Sequence, residues 1–592
     1  MSFRRFIGLK GKSPAGEVQD ATVPGEEIDE KRSVTEAVAA SNTSADEKPD
    51  EEAQHGVKKA EALTLAWTKP WLISLFVAIW FIYFINAFQQ SITLNLIGFA
   101  ISDFEAHSLI PVVFILSNVM AGALRLAVAK MLDLWGRPQG FVVMTSLTVM
   151  GIVLMAACKN VETFAAAQVF YWVGMDGMIY SCDVVTADVS SLRNRGLAFA
   201  FTASPYIITA FAGPKVAESY YEKISWRWAY GTFSIILPLV AVPLFTILWW
   251  NTRKAKKNGL LGRTPSGRTT LQSIWHYLIE FDALGVFFFA AGFVLFLLPF
   301  SIAESAASKW RSAHIIAMLV IGFVCLILFA LIERFISPHP FVRFELLASR
   351  TIMGTCLLCA SFQVGYYCWN SYYASYLQVV HGLTLAQAGY VSGVFDVISG
   401  VWCFVVGYLI RRTNHFKWLL MLAVPLDILG IGLMIHFRQP GTNIGYVIMC
   451  QIFIAFSGGT IILTQQVSIM SVAKHADLAA VLALLGLFGY IGGAIGNTIS
   501  GAVWTHTMPD ALAKYLPAEA LANLTEIYDS LDVQLSYEEG DPVRDAIIKA
   551  YGLAQRNMCI AGTAVMALSL IWVLMIKNVN VKDVKQVKGL VF

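Results

Sequence analysis

Carboxylate side chains stand within long apolar stretches of this sequence, where an ionised group is costly. Asp176 and Asp183 lie in one such stretch, and Asp396 and Asp427 lie in two later ones. Ionisable residues in membrane-length segments are by default candidates for function. We therefore predict that a carboxylate carries a coupling proton, with Asp176 as first choice, followed by Asp183 and Asp396. Helix packing is the alternative, and Arg125 lies at a depth where it could form an ion pair with Asp183.

A second set of candidates is aromatic. Tyr366, Trp369, Tyr373 and Tyr376 follow the spacing i, i+3, i+7 and i+10, which places them on one helical face with Asn370 beside them. Rings with polar tips suit a large, partly apolar solute that carries many oxygens. We interpret this face as a substrate-binding wall. An aromatic belt at the membrane interface, or simple packing, is the alternative.

Amide and hydroxyl side chains form a comparable face near the start of the apolar region. Asn86, Gln90 and Thr93 share one side of the predicted first membrane helix. Groups of this kind line cavities, but they also join helices by hydrogen bonds within a bilayer. We predict that these three residues bind substrate, with helix association as the alternative.

Charged residues also cluster at the ends of apolar segments. Asp133, Gly136 and Arg137 lie in a tight turn between two of them, and Asp188 and Arg195 lie in a later turn on the same predicted side. Such a cluster could hold a membrane protein in one conformation and break in another. We predict a gating role for these five residues. A surface anchor is the alternative.

The elements that position these residues are membrane helices. The chain is 57% hydrophobic and 14% charged, whereas a soluble domain has about 25% charged residues. A membrane helix needs about 20 apolar residues, and by that rule the chain contains about fourteen spans. We expect them near 71–97, 108–130, 138–158, 163–187, 196–216, 229–250, 281–302, 312–334, 352–378, 386–410, 416–436, 444–467, 478–504 and 558–577.

Loop charges predict the orientation of these spans. Most Lys and Arg of the short loops fall on the side of the N-terminal tail, which places both termini in the cytoplasm. Residues 1–67 are predicted to be a disordered cytoplasmic tail, 251–280 a cytoplasmic central loop, and 578–592 a cytoplasmic tail. A long extracellular loop, 505–557, contains the glycosylation acceptor Asn523 in Asn523-Leu-Thr525.

The charged turn recurs later in the chain. Gly407-Tyr-Leu-Ile-Arg411-Arg412 joins the tenth and eleventh spans as 129–138 joins the second and third. This repeat predicts an N-terminal bundle of six helices (68–250), two inserted helices (281–336) and a C-terminal bundle of six (337–577). Repeated halves are typical of transporters that rock about a site near the bilayer midplane.

Several motifs resemble one family. The segment 130–137 resembles the loop 2–3 signature of the major facilitator superfamily, with departures at Ala129 and Leu134, where Gly and Arg are usual. Other stretches look like its fungal siderophore-iron transporter branch. They are Ala187-Asp188-Val-Ser-Ser-Leu-Arg193-Asn-Arg195-Gly196, Trp226-Arg227-Trp228-Ala-Tyr230-Gly231, Tyr373-Ala-Ser-Tyr376-Leu-Gln378-Val-Val380 and Ile491-Gly-Gly-Ala-Ile-Gly496-Asn-Thr-Ile-Ser500. The resemblance extends over about 65–590 and implies an all-α integral membrane protein of the major facilitator fold.

The resemblance also implies a function. We expect import of ferric siderophore chelates, of the hydroxamate type, by proton symport and alternating access. The expected partners are the chelate, protons and the lipid bilayer, with no nucleic acid and a monomeric transport unit. The chelator fills the coordination shell of the iron, so no protein metal site and no cofactor are expected. The plasma membrane is the expected location, with an endosomal or vacuolar membrane as the alternative.

Two other classes of function stay open from the residues alone. A drug/proton antiporter of the same fold carries Gly-Pro-x-x-Gly-Gly in its fifth span, whereas this chain has Ala217 and Glu218 at the closing positions after Gly213-Pro214. A membrane receptor or scaffold without transport is the other rival. We find no phosphate loop or nucleophile motif, and the nine cysteines lie in or beside apolar segments, so we predict that the chain is not an enzyme.

Overall fold

The computed structural model describes residues 68–104, 107–257, 269–303, 306, 308–338, 344–474 and 477–582. The predicted tail at 1–67, residues 258–268 of the predicted central loop and residues 583–592 of the predicted C-terminal tail (578–592) lie outside these residues. Within the described part, the regular elements are helices. Their apolar residues face either a shared core or the outside of the bundle, as expected for helices solvated by lipid.

The N-terminal group of helices corresponds to the first six predicted spans. It comprises α1 (Lys69–Ser102), α2 (Ile110–Leu134), α3 (Arg137–Ala157), α4 (Val161–Asp188), α5 (Leu192–Ala203), α6 (Pro205–Lys223) and α7 (Trp226–Lys257). Helices α5 and α6 share one span, and Pro205 opens α6, where its missing N–H costs nothing. The turn between α2 and α3 needs Gly136, whose φ of 108° disfavours any side chain.

The middle of the chain contributes α8 (Thr270–Glu280), α9 (Ala283–Leu297), α10 (Pro299–Ile302), α11 (Ala313–Phe335) and α12 (Phe344–Leu347). Helices α9 and α11 pack against each other, and α9 also contacts α2. The outer face of α11 is apolar and exposed, with Val320, Phe323 and Val324 among its residues. This exposure is what a lipid-facing helix requires.

The C-terminal group is longer. It comprises α13 (Arg350–Asn370), α14 (Tyr373–His381), α15 (Leu385–Ser392), α16 (Val394–Thr413), α17 (Lys417–Phe437), α18 (Ile444–Ser471), α19 (Leu478–Tyr515), α20 (Leu524–Asp529), α21 (Leu531–Ser536), α22 (Pro542–Ala567) and α23 (Ser569–Met575). Three of its predicted spans are broken helices: α13 and α14 form one, α15 and α16 form another, and α22 and α23 form the last.

Twelve of the described helical segments are long and apolar enough to cross a membrane. This makes the protein a multi-pass membrane protein. The two other predicted spans coincide with helices Val161–Asp188 and Arg350–Asn370, which are not among the twelve. The total of fourteen therefore stays a prediction.

The predicted outer loop 505–557 is largely helical. Helix α19 continues to Tyr515 and α22 begins at Pro542, so both helices extend beyond the apolar segments that predicted them. Between them lie α20 and α21, which we call the strap (Leu524–Ser536). Asn523 is exposed at the end of a short 3-10 helix.

The N-terminal and C-terminal groups contact each other through two sets of helices. Helix α2 packs against α19, while α5 and α6 pack against α15, α16 and α18. Their backbones approach closely at Gly196 and Gly407, where a Cβ on Gly196 would lie 3.5 Å from the Cα of Gly407. We call the end of the bundle with the turn at Gly136 the motif face, and the end with the strap the strap face.

Candidate functional site

Two cavities lie between the helix groups. The motif-side cavity has a volume of about 330 Å³, and the strap-side cavity a volume of about 240 Å³. The polar lining of the first comprises Asn86, Gln90, Ser117, Asn118, Arg125, Asp176, Asp183, Tyr206, Gln363, Tyr367, Gln465, Gln466 and Tyr490. The polar lining of the second comprises Gln90, Ser91, Asn95, Tyr366, Tyr367, Asn370, Ser371, Ser375, Gln378, Ser392, Asp396 and Asn497.

The two cavities share part of their lining. Gln90, Phe114, Trp172, Gln363 and Tyr367 border both of them. The rings of Phe114 and Trp172 meet edge to face, with centroids 6.4 Å apart. These five residues separate two chambers of one central site, and the two rings form the apolar part of that partition.

Asp176 lies in the motif-side cavity and joins both helix groups. Its carboxylate forms an ion pair with Arg125 of α2 and accepts a hydrogen bond from the hydroxyl of Tyr490 on α19. The guanidinium of Arg125 also lies over the ring of Tyr180, 4.4 Å from its centroid. The expected pairing of Arg125 with Asp183 is therefore wrong, because α4 presents Asp176 to Arg125 and turns Asp183 toward α1.

Asp183 and Asp396 have different surroundings. Asp183 accepts a hydrogen bond from the hydroxyl of Tyr83 and borders the motif-side cavity. Asp396 borders the strap-side cavity, where it is exposed, and the described residues offer its carboxylate no hydrogen bond or ion pair. Asp427 is buried away from both cavities and accepts a hydrogen bond from Ser457 at 2.6 Å.

The predicted amide and hydroxyl face of α1 only partly lines the cavities. Tyr206 of α6 bridges two of its residues, since the Asn86 amide donates to its hydroxyl at 3.2 Å and that hydroxyl donates to Gln90 at 3.1 Å. Asn86 and Gln90 line the motif-side cavity, and Gln90 also lines the other. Thr93 is fully buried and accepts from Gln89 at 3.1 Å, so it lines neither cavity.

The aromatic face of the ninth predicted span is not continuous. Tyr366 and Asn370 line the strap-side cavity. In contrast, Trp369, Tyr373 and Tyr376 are at most 1% exposed and line neither cavity. The prediction of one face assumed an unbroken helix, but α13 ends at Asn370 and α14 begins at Tyr373.

Arg438 packs against these buried rings, a contact that the sequence did not predict. Its guanidinium is 4.4 Å from the ring centroid of Tyr373 and 4.8 Å from that of Tyr376. It also donates to the carbonyl oxygen of Trp369 at 2.7 Å, near the end of α13. Arg438 is one of few basic residues on the predicted outer side of the membrane, and this was the available signal.

The break between α13 and α14 opens onto the strap-side cavity. Ser371, at the break, donates to the side-chain oxygen of Asn497 at 3.0 Å and accepts from Ser500 at 2.9 Å. Broken helices at the midplane supply polar groups to transporter sites. Ser371 and Asn497 are therefore site residues that helical periodicity did not identify.

The predicted gating residues assemble at the motif face. The Nε of Arg137 donates to Asp188 at 3.0 Å, and its Nη1 donates to Asp133 at 3.1 Å. Gly136 provides the left-handed turn that begins α3. Arg195 lies beside this triad and donates to the carbonyl oxygens of Ala187 and Ser190, on either side of Asp188, and to the sulfur of Met470 on α18.

Contacts also join the helix groups at the strap face. His107 lies between two serine hydroxyls, 3.5 Å from Ser102 and 3.4 Å from Ser375 of α14. The hydroxyl of Ser108 donates to Asp529 of the strap at 2.7 Å. Leu531 of the strap borders the strap-side cavity. The strap therefore closes over this cavity and contacts both groups.

Among the described residues, no group of three His, Cys, Asp or Glu side chains is placed to hold a metal ion. Apolar helices that enclose polar cavities between two groups define a membrane carrier. A search of solved structures supports this fold, since the chain resembles a bacterial homologue of the human lysosomal transporter Spinster in an inward-facing and unoccupied conformation. The TM-score is 0.54 at 15% identity, covering 86% of this chain and 98% of that one.

The chain belongs to the major facilitator superfamily, whose family model matches residues 79–497. It is 56% identical to MFS siderochrome iron transporter D of Aspergillus fumigatus, covering 92% of this chain and 91% of the relative. It is 49% identical to siderophore iron transporter mirB of Emericella nidulans, covering 93% and 91%. These matches confirm the family inferred from the motifs, and membership in a transporter family confirms that the chain is not an enzyme.

Proposed function

We propose that the protein imports ferric siderophore chelates by proton symport. The observation that carries the proposal is the pair of polar cavities between the helix groups, together with 56% identity to a siderochrome iron transporter. Amide and hydroxyl groups of Asn86, Gln90 and Tyr206 are suited to the oxygens of a chelate. Iron reaches the protein only as part of this substrate.

Alternating access is the proposed cycle. The motif face lies in the cytoplasm and the strap face outside, in agreement with the basic residues at the end of α7. The Arg137 triad and Arg195 form the inner gate. His107, Ser375 and the strap form the outer gate. The partition of Phe114 and Trp172 separates the two chambers until substrate enters.

Proton coupling is assigned to carboxylates of the cavities. Asp396 faces the outer chamber without a partner among the described residues, which suits a group that takes up a proton with the incoming substrate. Asp176 holds α2, α4 and α19 together through Arg125 and Tyr490. A proton passed to Asp176 weakens this contact and favours the next conformation.

The transport unit is a monomer in the plasma membrane.

The proposal is tested by uptake of iron-loaded hydroxamates into cells that lack other siderophore importers. Cells that express the chain should accumulate labelled iron, and a protonophore should abolish the accumulation. Uptake equal to that of empty cells for every chelate would rule out import. Efflux of preloaded chelate or drug would favour the exporter alternative.

A further inference from the structure

Helix α8 presents an apolar stripe to the outside of the protein. Leu271, Trp275 and Leu278 are 77%, 67% and 47% exposed. Their spacing of i, i+4 and i+7 places them on one face. Gln272 and His276 lie on a neighbouring, polar side of the helix. The helix is therefore amphipathic with its apolar side turned away from the protein.

The rest of α8 is fixed to the motif face. Tyr277 and Phe281 meet the ring of Trp135 edge to face, with centroids 5.6 Å and 6.0 Å away. The Nζ of Lys130 donates to the carbonyl oxygen of Glu280 at 2.8 Å. Thr269 and Gln272 form a capping box that stabilises the first turn. The helix thus has a defined position, and its exposed stripe is not the result of fraying.

The position of α8 is at the membrane surface. Asp282 follows it in a left-handed conformation and caps α9, a membrane span, by accepting from the N–H of Gly285. Basic residues precede the helix, since Arg253, Lys254, Lys256 and Lys257 lie in the last two turns of α7. Clusters of four to eight basic residues beside a membrane span are typical of contact with anionic lipid headgroups.

We propose that α8 lies in the inner leaflet as an interfacial helix and that the basic residues at the end of α7 bind anionic lipid headgroups. The exposed Trp275 and the apolar stripe enter the acyl boundary, as amphipathic helices of this composition do. A third side of α8, with Tyr277 and Phe281, packs against Trp135, two residues before Arg137 of the inner gate. Anionic lipid therefore stabilises the turn that carries the Arg137–Asp133–Asp188 triad and affects the rate of gating.

Contact with lipid can be tested without any cargo. A photoreactive residue replaces Trp275 in full-length protein reconstituted into phosphatidylcholine vesicles with and without phosphatidylserine, and His276 serves as the matched polar-side position. Lipid adducts should form at 275 and be at least several-fold fewer at 276. Adducts at 275 to a second copy of the chain, or equal lipid labelling at both positions, would overturn the proposal.

The effect on gating needs a transport readout and so depends on the proposed function. Lys256→Gln with Lys257→Gln should remove most of the acceleration that phosphatidylserine gives to initial uptake, since both side chains are exposed. His276→Gln should keep it, since His276 lies on the polar side of α8 and outside the capping box. Equal acceleration in both variants would overturn the regulatory role. Failure of all variants and of the native chain to transport would instead count against the proposed function, while the labelling result would still decide the lipid contact.

Discussion

The guanidinium of Arg125 on α2 pairs with the carboxylate of Asp176 on α4, in the wall of the motif-side cavity. The hydroxyl of Tyr490 on α19 donates to the same carboxylate, so one acidic group connects the N-terminal and C-terminal groups of helices. A carboxylate in this position can sense a proton or a substrate and alter the packing of the two groups.

Asp176→Asn should abolish proton-dependent accumulation. The amide cannot carry the coupling proton, and the buried Arg125 loses its counter-charge. Loss of one partner of a buried ion pair costs about 3–5 kcal/mol, and access of cavity water reduces this cost. Accumulation of labelled chelate and the thermal midpoint of the purified protein should both be measured.

A second substitution separates coupling from stability. Arg125→Met combined with Asp176→Asn removes both charges and should restore most of the thermal midpoint, because no unpaired charge is left. Proton-dependent accumulation should stay absent in this double variant. Accumulation unchanged in Asp176→Asn would remove Asp176 from the coupling role.

Asp396→Asn should reduce accumulation and flatten its dependence on external pH. The carboxylate faces the strap-side cavity with no partner among the described residues, so its replacement breaks no contact and should leave the thermal midpoint nearly unchanged. Uptake should be compared at external pH 5 and pH 7. Asp427→Asn is the matched control because Asp427 is also in a span but lines neither cavity. An intact pH dependence in Asp396→Asn would exclude Asp396.

Leu531→Trp should select against large chelates. Leu531 closes the strap-side cavity, and its side chain would lie 3.6 Å from a Cβ on Gly98, so a larger ring narrows the chamber. The KM of a large hydroxamate chelate should rise several-fold, and that of a small one should change less. Leu521→Trp is the control, since Leu521 is exposed just before the strap. Equal effects on both chelates would contradict a role in size selection.

Arg137→Lys should lower the maximal rate of transport at least tenfold and leave the KM for the chelate unchanged. A lysine keeps the charge but cannot donate to Asp133 and Asp188 in the fixed geometry of a guanidinium. Initial rates over a range of substrate concentrations give both constants. Arg411→Lys, at the exposed repeat of this turn, should have little effect. A normal rate in Arg137→Lys would show that the triad is a surface anchor.

Sequence patterns predicted where the helices lie along the chain, but they did not predict which side chains of different helices contact each other. Hydropathy placed a helix at every predicted span, and Gly136 with Pro138 predicted the turn between α2 and α3. Periodicity describes the faces of one helix but not its rotation against others, so the pairing of Arg125 with Asp176 could not be derived. The break at Ser371 carries neither Pro nor Gly, the residues that usually signal one.

Proton symport is tested most directly with purified protein in vesicles with an imposed pH gradient. Labelled ferric hydroxamate is added outside, and its internal concentration is followed with the outside acidic or with equal pH. Proton symport predicts accumulation above the external concentration only when the outside is acidic, and its loss with a protonophore. The same internal concentration with and without the gradient would contradict proton symport.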